Sequence, residues 1–326
     1  MANRLEPTDM RLLDEFQRDL PLVPRPFAAI GLALGLTEAE TIQRLQHLQA
    51  DGRITRVGAT VRPNTAGVST LAALAIPEDR IEDLAALVGA EPGVNHSYLR
   101  EDDWNLWFVA TAPDARGLDA LLSRIEKRTG LRVIDLRLVR PFNIDLGFRL
   151  AGPPRAMGAT RRADVSVLTD ADRPLLHALS RGLPLEPEPY AALARQLEMD
   201  ERHLCERIAT LTEAGIITRL GVIVRHRALG WTANAMVLWD LPQTAIEAAG
   251  LALAAVPGVT LCYERRPVPG IWPYRLYCMI HGQTRNQALA VLKDAAALPE
   301  LAGARHRVLF STRCFKQTGA RLMEAA

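Results

Sequence analysis

Cysteine is scarce in this chain of 326 residues: Cys205, Cys262, Cys278 and Cys314 all lie in the second half, and none forms a C-x-x-C pair. That excludes a zinc knuckle or a disulfide framework as the organising device and fits a reducing compartment. Net charge is also small. Lys and Arg number 39 against 37 Asp and Glu, a formal +2, so the chain as a whole carries no electrostatic footprint for nucleic acid or an anionic membrane. No segment approaches the roughly 20 apolar residues of a membrane span. The opening Met-Ala-Asn-Arg-Leu-Glu-Pro lacks the apolar run of a secretory signal. A cytoplasmic protein without membrane attachment is the expectation. Hydrophobic content of 48% is ample for two cores, and the length suits two domains of roughly 150 residues each.

What is present is one program written twice. Leu20-Pro21-Leu22-Val23-Pro24-Arg25-Pro26-Phe27 returns as Leu183-Pro184-Leu185-Glu186-Pro187-Glu188-Pro189-Tyr190, and Ile54-Thr55-Arg56-Val57-Gly58 as Ile217-Thr218-Arg219-Leu220-Gly221. Pro92-Gly93-Val94 with Tyr98 recurs as Pro257-Gly258-Val259 with Tyr263. The period is far longer than a solenoid unit, so the echoes mark a duplicated domain. Polar residues that the copies do not share mark where a site has specialised.

In the first copy Thr8 is placed to cap a helix carrying Met10, Leu12, Leu13 and Phe16. Pro26 suits the first turn of a second helix running to about Leu34. Thr37 with Glu40 forms a capping box for a third, whose Ile42, Leu45 and Leu48 make one apolar face. The β-branched run Ile54 to Val61 reads as a wing strand pair, so a winged helix-turn-helix is expected over 1–66. From Ser69 to Arg140 the order is strand, helix, strand, strand, helix, strand, a ferredoxin-like βαββαβ unit over 67–150. Residues 151–168, with Gly152-Pro153-Pro154, read as a linker. The program then repeats as a winged helix-turn-helix over 169–229 and a βαββαβ unit over 230–326, its last strand ending near Phe310. The expected fold class is α+β in two tandem copies. The halves are expected to pair within the chain, with a homodimer left open.

A winged helix-turn-helix followed by a ferredoxin-like domain resembles the Lrp/AsnC transcription factors, for which DNA binding would be the default. Three blocks resemble the sirohaem decarboxylases instead: the Pro-rich lead-ins, Asn95 to Glu101 with Asn105 to Phe108, and Cys262 to Pro267 with Trp272 to Gly282. The second half resembles the subunit type that carries the Met279-Ile280-His281-Gly282 run, the first half its partner, fused in one chain. The resemblance implies loss of carbon dioxide from the acetates at C12 and C18 of sirohaem, giving 12,18-didecarboxysirohaem, in haem d1 or alternative haem biosynthesis. It also implies no organic cofactor, sirohaem and related iron porphyrinoids as binding partners, and no nucleic acid. The third helices agree. Glu38 to Ala50 sets Arg44 and His47 against Glu38 and Glu40, and Asp200 to Glu213 sets Arg202, His203 and Arg207 against Asp200, Glu201, Glu206 and Glu213. Neither is a basic head for reading a major groove. A ligand-sensing DNA-binding regulator and a non-catalytic tetrapyrrole carrier are the rival readings.

Decarboxylating a pyrrole acetate leaves electron density on carbon, so a proton donor titrating near neutral pH is needed, and histidine is the first candidate. His281 stands in an apolar strand where the first copy has about Thr111, and the resemblance makes it an acid or an iron-facing residue. His226, between Arg225 and Arg227, follows the wing where the first copy has Pro63. It reads either as a site residue or as part of a solvated basic turn. His96 replaces Leu261 of the second copy, beside Tyr98. It reads as catalytic or as a sheet-face residue. Arginine forks suit the carboxylates: Arg100, Arg265, Arg266, Arg275 and Arg313 are candidates, with Lys316, and Arg313 and Lys316 read equally as exposed C-terminal cations. Tyr263 and Trp272, the latter in a Pro-Gly-Ile-Trp-Pro loop, are candidates to wall the macrocycle. No metal site is expected from the protein alone; the iron arrives with the substrate, contacted by His281 or His226.

Overall fold

The computed structural model describes residues 5–144, 150 and 162–319. The first copy comprises α1 (Pro7–Glu15), α2 (Pro26–Leu34), α3 (Glu38–Ala50), β1 (Ile54–Val61), β2 (Val68–Leu74), α4 (Ile81–Ala90), β3 (Val94–Arg100), β4 (Leu106–Ala112), α5 (Ala115–Thr129) and β5 (Ile134–Asn143). The second comprises α6 (Asp172–Arg181), α7 (Pro189–Gln196), α8 (Glu201–Glu213), β6 (Ile217–Val224), β7 (Ala233–Asp240), α9 (Ile246–Ala254), β8 (Val259–Arg265), β9 (Leu276–Gly282), α10 (Arg285–Ala296) and β10 (Arg305–Gln317). The chain divides into two compact units that join like with like: the two helical portions form one, the two βαββαβ portions the other. Most of the expected linker, 151–161, lies outside the described residues. Its end does not: Val165–Val167 makes a 3₁₀ turn, and the Asp164 amide donates to the Ala214 carbonyl at 2.9 Å. No helix among the described residues is long and apolar enough to cross a membrane.

In the helical unit the capping box forms as read, Thr37 Oγ1 accepting from the Glu40 amide and the Glu40 carboxylate from the Thr37 amide. Thr8 does not cap α1. The helix starts two residues before that cap implies, at Pro7, whose missing N–H is harmless in the first turn. The expected wing pairs are corrected too. Each copy supplies one strand, and β1 and β6 pair antiparallel with Gly58 opposite Gly221. Flanking bonds from Arg62 N to Ile216 O and Arg225 N to Arg53 O, both 2.8 Å, extend the ladder at each end.

This ladder explains both loud echoes in the sequence. The Leu20 amide donates to Leu220 O at 3.0 Å, and its repeat mate Leu183 donates to Val57 O at 2.7 Å. Each Leu-Pro-Leu segment is thus an adapter for the other copy's strand. A Cβ on Gly58 would lie 2.5 Å from Leu179 O, and one on Gly221 2.4 Å from Gln17 O. Glycine is required there because backbone approaches backbone, at a distance no side chain permits.

The sheets of the second unit close on each other. Each copy has the motif order of a ferredoxin-like sheet, β3-β4-β2-β5 and β8-β9-β7-β10, and the edges join as β5 with β8 and β10 with β3 to give a closed eight-stranded barrel. Side chains alternate across it. Outward, Val94, Leu106, Phe108 and Ala110 pack under α4 and α5, and Val237, Trp239, Cys278 and Ile280 under α9 and α10. Inward, Leu71, Trp107, Leu136, Met236, Tyr277 and Leu309 from both copies share one core. α5 shows why these helices form: Asp114 caps the Gly117 amide, Leu118, Leu121, Leu122 and Ile125 make the buried stripe, and Gly130 ends it at φ 70°.

Gly58→Ala and Gly221→Ala should each destabilise the helical unit by about 1–3 kcal/mol through overpacking, read as a lowered urea midpoint. Gly89→Ala, on α4 with nothing within 4 Å of its added methyl, should be neutral or stabilising by about 0.5 kcal/mol.

Candidate active site

Along β9, Cys278 and Ile280 face the helices while Tyr277 and Met279 face the barrel interior, and His281 continues the inward series. Its ring is held at both nitrogens. Nδ1 lies 2.8 Å from Thr260 Oγ1 on β8, and Nε2 lies 2.9 Å from Asn234 Nδ2 on β7. The Thr260 hydroxyl also donates to the Met279 carbonyl at 3.0 Å. Burial pushes the imidazole down to about 4, and the positive field of Arg100 works in the same direction. The expectation of an acid titrating near neutral pH is therefore corrected: held by its own surroundings, His281 is neutral at pH 7.

Arg100 ends β3, opposite Ser311 on β10, and is buried. Its Nη1 donates to Leu309 O at 3.1 Å and its guanidinium stands 5.7 Å over Tyr98. The repeat mate Arg265 does the same at the other seam, donating to Leu136 O at 2.7 Å with its guanidinium 4.5 Å over Tyr263. The arginines thus share a structural task, closing the barrel across copies, while the histidine beside Arg100 is unshared. Thr111 takes its place in the first copy and pairs with Ser69 as His281 pairs with Asn234.

The other sequence candidates fall into separate groups. His96 lies on β3 with its ring stacked on Tyr98 at 6.5 Å. Tyr263 is buried in the inner core, with its phenol pushed up by burial. Trp272 is only 1% exposed: a bridge from Val268 to Trp272 folds the loop inward, the indole sits 5.4 Å from Trp107, and Nε1 donates to Tyr277 Oη at 2.9 Å. It is a core plug rather than an open wall. Arg275 donates to Gln243 at 2.9 Å, and exposed Arg266 stands 3.8 Å from Asp135. Arg313 and Lys316 lie inside β10, which runs on past Phe310 to Gln317. Both are turned to α4, Arg313 pairing with Glu82 and Lys316 donating to Gly89 O at 2.6 Å. His226 and Arg227 open a 3₁₀ turn after β6, in the helical unit, next to exposed Arg225.

Sequence reading missed Thr260 and Asn234. The usable signal was the repeat: they stand where the first copy has Asn95 and Ser69, on the strands flanking His281. Nearby, Glu101, Thr232, Ala233, Arg285, Phe310 and Ser311 line a pocket of about 230 Å³, below the roughly 300–1,000 Å³ of small-molecule sites. No group of three or more His, Cys, Asp or Glu residues among those described is arranged to hold a metal ion. The cations of the third helices are engaged internally. Arg44 bonds Glu6 and Asp9 at 2.9 Å each, Arg202 bonds Glu206 at 2.9 Å, and Arg207 bonds Asp172 at 2.7 Å.

Residues 9–54 and 172–217 match the family model of the siroheme decarboxylase NirDL-like HTH domain, and residues 65–142 and 228–316 that of the AsnC-like ligand binding domain. Over 322 residues, 99% of each chain, the sequence is 61% identical to the siroheme decarboxylase NirDL subunit of Paracoccus denitrificans (strain Pd 1222). The crystal structure of the siroheme decarboxylase NirDL superposes with a TM-score of 0.68 at 26% identity, covering 96% of this chain and 94% of that one. The structure of a siroheme decarboxylase NirDL in co-complex with an iron-uroporphyrin III analogue gives 0.67 at 25% identity, covering 96% and 93%.

Because His281 titrates near 4 when folded and at its ordinary 6.5 when unfolded, protons bind the unfolded chain preferentially between those values. Its contribution to stability is intact above pH 6.5 and is lost as pH falls toward 4, by roughly 3 kcal/mol. Urea melts across that window should show His281→Gln with a flatter decline than the parent; an equal slope would rule out a buried neutral imidazole.

Proposed function

The chain belongs to the sirohaem decarboxylase family, and from that membership we propose that it converts sirohaem to 12,18-didecarboxysirohaem in haem d1 or alternative haem biosynthesis. It is a carboxy-lyase. The observation that carries the substrate assignment is the correspondence, over 99% of both chains, to a siroheme decarboxylase subunit. The iron-uroporphyrin analogue bound by a structural relative supports an iron porphyrinoid as ligand.

Each turnover exchanges a carboxylate for a proton: R–CH2–COO⁻ plus H⁺ gives R–CH3 plus CO2, twice per sirohaem. No electrons are gained or lost, and the chemistry calls for no organic cofactor. In this proposal His281 delivers the proton. It starts neutral, and the negative field of a substrate rich in carboxylates raises its affinity for a proton toward working pH. Arg100 supplies positive charge from the opposite copy, suited to one carboxylate. His96, on the same strand as Arg100, is a secondary candidate. We assign the protein to the cytoplasm, with no nucleic-acid partner. The regulator reading is disfavoured because Arg44 and Arg207 are bonded to neighbouring carboxylates and the third helices carry as many acidic side chains as basic ones.

Anaerobic incubation of the purified protein with sirohaem, followed by mass spectrometry, should show loss of two carbon dioxide equivalents. Unchanged sirohaem would overturn the proposal. His281→Ala should lower kcat by about 10²–10⁴-fold, the range for removing a positioned proton donor.

A further inference from the structure

We propose that Thr260 and Asn234 are positioning residues for the decarboxylation, fixing which nitrogen of His281 carries its resting proton and letting the other take up and release the second. This rests on the reading of His281 as proton donor. A threonine hydroxyl has one hydrogen, and Thr260 gives its hydrogen to the Met279 carbonyl at 3.0 Å. Toward His281, 2.8 Å away, its oxygen can therefore only accept. Nδ1 must carry the hydrogen, which leaves the lone pair of the neutral ring on Nε2. There the Asn234 amide nitrogen stands at 2.9 Å and donates.

The same amide can serve the protonated ring. Asn234 Oδ1 is buried and has no hydrogen-bond partner among the described residues, a spare acceptor beside a group that must alternate between accepting and donating. A half-turn of the isosteric amide places Oδ1 where Nδ2 stood, and Nε2–H then donates to it. Thr260 needs no change, since Nδ1–H is present in both states. The charged group whose field reaches the ring is Arg100 on β3. Arg265, on β8, is bonded at the other seam. Glu264 on the same strand is tied to Arg140 and Gln243, and Asp240 on β7 to Arg305. On α10, Arg285 pairs with Glu101, and Lys293 and Asp294 belong to the helix that covers the outer face of β9. The first copy retains Asn95, Ser69 and Thr111 at the matching positions but no imidazole, so the device exists once per chain.

Nitrogen NMR of the full chain labelled at histidine reads the tautomer directly. At pH 7 His281 should show protonated Nδ1 and bare Nε2; the reverse tautomer in the parent protein would overturn the proposal without any variant. Thr260→Val should move the ring toward the Nε2–H tautomer and lower kcat about tenfold or more with KM little changed. Thr260→Ser should restore both. Asn234→Asp should raise the pH at which His281 titrates by about one unit or more. An undisturbed tautomer and kcat in Thr260→Val would refute the positioning role. If His281→Ala keeps full turnover, the donor reading and the catalytic role proposed for these residues fail together, and the tautomer signal then tells a structural lock from no lock at all.

Discussion

A four-stranded βαββαβ sheet standing alone ends in two edge strands whose unpaired N–H and C=O groups invite other chains. Here each edge is satisfied by the other copy, β5 by β8 and β10 by β3, with a register irregularity at both seams. Closing the sheet makes an inside. The inner faces, only half of a core in either copy, become a shared interior holding Trp107, Trp272 and Tyr277. The same closure removes water from His281 and brings the first copy's Arg100 within electrostatic reach of it. The helical unit repeats this logic on a smaller scale, since β1 and β6 are each other's only partners among the described strands.

Much of this was legible in the sequence because it is local. The second helix of the first βαββαβ unit, Ala115–Thr129, has its cap, stripe and stop within one window. The Thr37 capping box followed from two residues three apart. What escaped was non-local. Ile54 to Val61 has the composition of a wing strand, but its partner lies in the second copy, and nothing in a local period states that. β10 continues past Phe310 because β3 is there to receive it through a bulge, although Arg313 and Lys316 read equally as exposed C-terminal cations. Trp272 sits in a Pro and Gly loop, which signals exposure, yet that loop folds into the barrel.

Duplication supplied a symmetric frame, and the proposed chemistry sits where that symmetry breaks. Arg100 and Arg265 make matching bonds at matching seams, a shared architectural role, and Arg100 in addition reaches His281 with its field. His281 has no counterpart, and neither do its two hydrogen-bonding neighbours, Thr260 replacing Asn95 and Asn234 replacing Ser69. Three linked changes around one ring are what a site requires, because a buried imidazole needs both nitrogens answered. The differences between the copies single out His281 together with His226 and His96. The supporting pair of His281 emerged only when the strands were laid side by side.

The central claim is that one proton-delivering centre is assembled from both copies, His281 from the second and Arg100 from the first. A double-mutant cycle on kcat/KM for sirohaem decarboxylation, using His281→Asn, Arg100→Gln and the pair together, tests it most directly. If the two side chains serve one step, the double variant will be no slower than the worse single variant. Losses that simply multiply would show that they act independently, and would contradict a composite centre.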